Sequence, residues 1–391
     1  MRGALEGIVV VELGSYLTAP YAAMLLADLD AEVVKIEPPV SGDPFRGWGT
    51  NGYNSTFCCV NRNKKSVTLN LKTDTGREAF LKLAGRADVI IENGRPGVVQ
   101  ELGIDYDTIR KLNSRVIYCS ISGFGQDGSC RDWPGYDTIG QAMGGLLGLV
   151  TDLNDPQPVG ISFSDHLTGI FACYGIQAAL FARERTGQGQ KVETSLLQST
   201  VSFVQEAAAR YFATSEVPRR ETRVQTAQAY AFVAQDERPF VIHLSSPPKF
   251  WEGLTEAVGK PELKTDTRFQ DREARRRHYT TLRALLAEVF ATQTRDAWLE
   301  RLRKHDVPCA PLNSLDEVFA DPQVQSLGMA VEMTHSTMGR VRLSGNPIHF
   351  EQTPVRYRLA PPALGEHTDE VLTALGYDRK TLQRWRQEGV I

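Results

Sequence analysis

Ile8-Val9-Val10-Val11-Glu12-Leu13 and Glu32-Val33-Val34-Lys35-Ile36-Glu37 are two β-branched runs of strand length, and Pro20-Tyr21-Ala22-Ala23-Met24-Leu25-Leu26 lies between them. A parallel strand with helices on both faces reads as an unbroken apolar run, because neither side meets water. Pro in a first helical turn, followed by apolar residues, predicts a helix from Pro20 to Leu29. The three pieces make one βαβ unit. The alternation continues with a strand at Val67–Leu71, a helix from Thr75 to Ala84, and a strand at Asp88–Glu92. A short helix at Asp107–Leu112 and a strand at Arg115–Ile121 follow. This order predicts an α/β chain with a Rossmann-like, open parallel sheet.

Beyond Gly123 the texture changes. Tyr136–Leu149 and Ser164–Arg183 read as helices rich in Gly and Ala, Lys191–Ser195 as a strand, and Leu196–Phe212 as a helix. Pro218-Arg219-Arg220-Glu221-Thr222-Arg223 is polar and basic and reads as linker. A second, smaller α+β domain is predicted from about Ala229 to Asp321: strands at Ala229–Val233 and Phe240–Leu244, then helices at Pro247–Val258, Asp271–Phe290 and Arg295–His305. Strands at Val331–Thr334 and Arg340–Leu343, a helix at Glu366–Leu375 and a short one after Asp378 bring the chain to its end.

Composition bounds the function. The chain has 391 residues, more than one core of roughly 100–200 residues needs, which predicts two domains. A net charge of −3 gives no nucleic-acid footprint. No apolar run reaches the roughly 18 residues of a membrane span, and the N-terminus enters a strand without a leader-like apolar region. The six cysteines are scattered, with no C-x-x-C pair and no histidine pair at ligand spacing. That predicts no metal site and a reducing, cytoplasmic setting.

Gly123-Phe124-Gly125-Gln126-Asp127-Gly128 spells a dinucleotide fingerprint, but that mechanism needs a helix N-terminus on the pyrophosphate. Ser129 to Gly135 is loop chemistry instead, so a mobile glycine-rich loop, suited to a lid, is expected. Asp165 is the leading carboxylate. Ser162 or Ser164 would cap a helix and put Asp165 in its first turn, where the dipole favours any acid. Gly169 and Ala172 leave its helix face with little bulk, open to close approach, and the dipole would keep a carboxylate nucleophile ionised. His166 points about 100° away and forms no dyad with it. Asn61-Arg62-Asn63-Lys64-Lys65 with Lys72 is either a solvated face or an anion site. Asn93-Gly94-Arg95-Pro96-Gly97 follows a strand at its C-terminal end, where open α/β sheets bind ligands; its glycines also suit an ordinary turn.

Taken in order, these segments resemble the class III CoA-transferases of the CaiB/BaiF type, which include formyl-CoA transferase and α-methylacyl-CoA racemase. The match rests on Val33–Glu37 with Gly42-Asp43-Pro44 and Arg46-Gly47-Trp48, on Asn61–Ser66, and on Glu92–Gly97. Gly135-Tyr136-Asp137 with Gln141-Ala142, Asp165 with Gly169, Thr186–Val192 and Gly365-Glu366-His367-Thr368 complete it. The resemblance implies Asp165 as the catalytic nucleophile, and a CoA site lined by Leu69, Lys72, Asn93, Gly94, Arg95 and Tyr136. Coenzyme A enters as acyl-CoA substrate, with no metal. Leu17, Pro38, Glu101 and Pro134 stand where the formyl-CoA enzyme has basic or amide residues, so Arg62, Lys64 or Arg95 would have to bind phosphate instead. That enzyme's small-domain glycine loop has no counterpart near Gln225–Val233, which speaks against oxalate and formate.

The implied fold is a large domain built from residues 1–200 and 322–391, a linker at 201–228, and a small domain at 229–321. Two such chains would interlock as rings in a homodimer. The implied activity moves CoA from an acyl-CoA donor to a free, small carboxylic acid through a covalent aspartyl intermediate. The alternative is an acyl-CoA racemase or isomerase on the same fold, against which Tyr136 stands where the racemase pattern has histidine. Arg219, Arg220 and Arg223 hint at a dicarboxylate such as succinate, although solvation of a linker explains them equally well.

Overall fold

A computed structural model of the chain describes residues 3–49 and 54–391; Met1 and Arg2, the start of the N-terminal stretch read above, lie outside them. The chain divides into two compact units: Met1–Leu147, Pro158–Gln205 and Gly328–Ile391 form the first, Gly148–Gln157 and Glu206–Leu327 the second.

The first unit is built on a six-stranded parallel sheet of β1 (Val9–Glu12), β2 (Glu32–Glu37), β3 (Lys64–Thr68), β4 (Val89–Glu92), β5 (Ile117–Ser122) and β6 (Gln190–Ser195). The strand order is β3-β2-β1-β4-β5-β6. Successive side chains of β1 show why its sequence is an unbroken run. Val10 faces a core with Ala19, Ala22, Ala23 and Leu26 of α1 (Thr18–Asp28). Val11 faces the opposite core, with Phe80 and Leu83 of α2 (Asp74–Ala84) and Leu372, Leu382 and Trp385 from the chain's end. Two further helices bear on the site: α3 (Asp137–Met143) and the long α4 (Phe163–Thr186).

The second unit carries an antiparallel sheet of β7 (Ala229–Val233), β8 (Pro239–His243) and β9 (Cys309–Pro311). Helices Pro248–Ala257, Tyr279–Phe290 and Arg295–Lys304 pack on it around Phe240, Phe290 and Trp298.

Several expected elements shift. The third strand covers Lys64–Thr68, not Val67–Leu71, because the polar residues Lys64 and Ser66 point inward and are buried. The helix expected over Tyr136–Leu149 breaks after Met143, where Gly145 takes a left-handed φ of 83°. Those expected at Leu196–Phe212 and Asp271–Phe290 are likewise each two helices, divided at Val204 and His278. The stretch from Arg220 onward, read as linker, is the helix Arg220–Ala227. No helix begins within Gly123–Gly128; the next starts at Asp137, so the dinucleotide mechanism has no helix terminus there.

Candidate active site

Strand order reverses between β1 and β4, and open α/β sheets bind ligands outside the C-terminal ends of strands at such a switch point. A cavity of about 210 Å³ lies there. Tyr16 and Thr18 line it from beyond β1, Asn93 to Pro96 from beyond β4, and Gly123 from beyond β5. Tyr136 and Asp165 line it too, as do Arg131 and Trp133.

Asp165 is the third residue of α4. The expected serine cap is absent: Ser162 precedes the helix without a side-chain capping bond, and Ser164 Oγ lies 2.7 Å from Thr200 Oγ1. Asp137 caps instead, from a different helix. Its Oδ1 accepts the Asp165 backbone N–H at 3.2 Å, while Gln141 Nε2 donates to its Oδ2. On the other side Thr18 donates its hydroxyl to Asp165 Oδ1 at 2.7 Å. Among the described residues, no Lys or Arg forms an ion pair with this carboxylate.

The consequence is electrostatic. Burial pushes the Asp165 carboxyl up to about 6; the Thr18 hydrogen bond and His166 pull it down, and the Asp137 charge adds to the rise. Desolvation thus outweighs the dipole expected to hold it low. Near neutral pH the carboxylate is still mostly ionised, but weakly stabilised, as suits a nucleophile.

Two features read from the sequence have structural uses. The small face of α4 admits another helix, not a ligand: a Cβ on Gly169 would lie 2.9 Å from the Thr18 carbonyl oxygen and from Tyr21 Cδ1. His166 forms no dyad with Asp165; its Nδ1 is 2.8 Å from the Ser162 carbonyl and its ring stacks edgewise on Tyr21.

Within the basic cluster, the stretch Asn61 to Lys64 is buried and is neither a solvated face nor a phosphate site. Arg62 is buried and grips Asp28 at 2.6 Å, and Lys64 is buried 2.7 Å from Glu12, so neither is free to bind phosphate. Lys65 bridges Glu32 and Glu370. Lys72 is exposed, and with buried Leu69 it lines a second cavity of about 240 Å³ that also meets Gly94.

Of the residues expected in the site, Asn93, Gly94, Arg95, Tyr136 and Asp165 therefore share one cavity, and Gly94 joins it to the neighbouring one with Leu69 and Lys72. The Asn93 side chain ties two loops together, accepting from Ser15 N–H at 2.9 Å and donating to the Ser15 carbonyl at 2.8 Å. Sequence reading missed Tyr16, Thr18 and the capping role of Asp137. Only Asp137 carried a signal, as part of Gly135-Tyr136-Asp137.

Comparison with known proteins bears on the same chemistry. The family model described as CoA-transferase family III matches residues 5–368. The chain is 38% identical to an acetyl-CoA:oxalate CoA-transferase of Acetobacter aceti, over 89% of this chain and 89% of that one. It is 34% identical to a succinyl-CoA:glutarate CoA-transferase of Mus musculus, over 99% and 90%. The crystal structure of a CAIB/BAIF family protein from Brucella suis superposes with a TM-score of 0.85 at 34% identity, covering 96% of this chain and all of that one.

Proposed function

The chain belongs to CoA-transferase family III, and on that premise we propose that it moves CoA from an acyl-CoA donor to a free carboxylic acid with Asp165 as covalent nucleophile. The observation that carries this reading is a carboxylate that, among the described residues, pairs with no Lys or Arg and faces a cavity at the sheet's switch point. A structural acid in that position would be expected to have a counter-charge.

The steps balance without metal or ATP. Asp165 attacks the thioester carbonyl; the C–S bond breaks, leaving CoA thiolate and a mixed anhydride. The thiolate attacks the Asp165 carbonyl carbon, which frees the donor acid and gives an aspartyl-CoA thioester. The acceptor carboxylate displaces the thiolate to form a second anhydride. Attack of the thiolate on the acceptor's acyl carbon yields the new acyl-CoA and restores Asp165. Leu69, Lys72, Asn93, Gly94, Arg95 and Tyr136 are the residues we assign to the CoA. Succinate, glutarate and oxalate, acids in the names of its relatives, make small dicarboxylates the substrates to try first, and the 38% identity to an oxalate enzyme returns oxalate to the panel despite the missing glycine loop. Tyr136 offers a phenol where a racemase would want a base near neutral pH, so proton exchange at Cα is not favoured.

Hydroxylamine added during turnover of succinyl-CoA or acetyl-CoA with a panel of acids should convert the aspartyl thioester to a hydroxamate on the peptide containing Asp165. A label on another carboxylate, or none during active turnover, would remove Asp165 from this role.

A homodimer is also proposed. Ile170, Tyr174 and Phe181 form an apolar row along one face of α4 and are 48%, 70% and 67% exposed. Such a row favours association. Sedimentation at sub-micromolar concentration should find no folded monomer; a stable monomer there would exclude an interlocked pair.

A further inference from the structure

Tyr16 has φ of 64°, in the left-handed region that bulky residues occupy only where their surroundings hold them. The surroundings are specific. Its N–H donates to Asp43 Oδ1 at 3.0 Å, and the same oxygen accepts from Phe45 N–H at 2.9 Å. The other oxygen of Asp43 lies 2.9 Å from Lys35 Nζ, with both side chains buried. On either side, Ser15 is locked to Asn93 and Thr18 to Asp165.

This anchoring places the ring. Tyr16 meets Tyr136 edge-on with centroids 5.9 Å apart, and Phe45 and Trp48 at 5.4 and 6.3 Å. Tyr16, Tyr136 and Asp165 line the same cavity. Glycine would take this backbone without strain, so the conformation is held against its own preference for the sake of the side chain.

We propose that Tyr16 is a positioning residue that, with Tyr136, forms an aromatic wall keeping water from the acyl group while Asp165 carries it. The inference rests on the reading of Asp165 as nucleophile. The competing reaction is hydrolysis: a water oxygen bonds to the acyl carbon of the anhydride, the bond to Asp165 breaks, and the acid departs without CoA. Closed sites suppress such losses.

The test measures free thiol released against new acyl-CoA formed, with succinyl-CoA or acetyl-CoA as donor, whichever the wild type turns over. Tyr16→Gly suits the left-handed backbone, so the protein stays folded, and the ratio of hydrolysis to transfer should rise about tenfold. Tyr16→Phe keeps the ring and should hold the wild-type ratio. A Tyr16→Gly ratio within about twofold of wild type, or a Tyr16→Phe ratio raised as far as that of Tyr16→Gly, overturns the wall. Asp165→Asn separates the two claims. If it abolishes both thiol release and transfer, the nucleophile stands whatever Tyr16 does; if it still transfers, the underlying reading fails first.

Discussion

Two groups of carboxylates in the first compact unit are treated in opposite ways. Beneath the loop after β1, Glu12, Asp28, Glu37 and Asp43 are buried, and Lys35, Lys64, Arg46 and Arg62 meet them at 2.6 to 2.9 Å. Each charge there is matched. Lys35 is held strongly protonated by Glu12, Asp43 and Glu37 against its own burial, and Glu37 is held below the usual carboxylate range by Arg46, Lys35 and Ser66 despite burial. In the cavity above, Asp165 has a hydroxyl and a second carboxylate beside it and, among the described residues, no ion-pair partner. Matched charges fix a structure; an unmatched one keeps its reactivity at a cost in stability.

The sharpest way to break that contrast is Asp165→Asn. Transfer should fall by about three orders of magnitude or more, as when other covalent nucleophiles are removed. Stability should move the other way. A carboxyl near 6 when folded, against an ordinary value near 3.9, binds its proton more tightly in the native state. Its contribution is therefore present at low pH and lost as pH rises from about 4 to about 6. At pH 7 the amide removes an ionised, uncompensated group, so the melting temperature should hold or rise by about 2–4 °C. Lost stability with retained transfer would return Asp165 to the role of a helix-start acid.

Lys35→Met tests the matched side. It strands Asp43 and leaves Glu12 with Lys64 alone, and breaking a buried pair costs about 3–5 kcal/mol. A fall of roughly 10 °C in melting temperature, or loss of soluble protein, is expected. Because Asp43 also anchors Tyr16, any folded fraction should hydrolyse more acyl-CoA per transfer. A Lys35→Met protein as stable as wild type would mean the network is not what holds this loop.

How much of this was legible follows from the same contrast. Apolar periodicity exposes what faces a core, so β1, β2 and the helix between them were readable within two residues. Charged residues carry no such mark. Arg62 and Lys64 looked like solvated cations because their partners, Asp28 and Glu12, lie 34 and 52 positions away in the chain, and only the sheet brings them together. Asp165 was found by its place in a helix and by resemblance, yet the small face counted in its favour turned out to seat the backbone of α1. Tyr16 was invisible, since nothing in a tyrosine's letter announces a left-handed backbone held by a distant aspartate.

The smallest effect is the most specific to the unmatched side. Thr18 donates the one side-chain hydrogen bond that Asp165 receives among the described residues, and it favours the ionised form. Thr18→Val keeps the shape and removes that donor, so the Asp165 carboxyl should rise further, by about one unit for a charge-assisted bond partly open to solvent. An acid limb of transfer activity is expected near pH 6 in the wild type and should move up by the same amount in the variant. Activity at pH 6 should drop about fivefold and at pH 7 about twofold, with little change at pH 8 where both proteins are ionised. The melting temperature at pH 8 serves as control, because a merely structural role for Thr18 would lower it and leave the pH profile in place. An unmoved acid limb would mean that the limb belongs to another group, and that Thr18 does not tune this carboxylate.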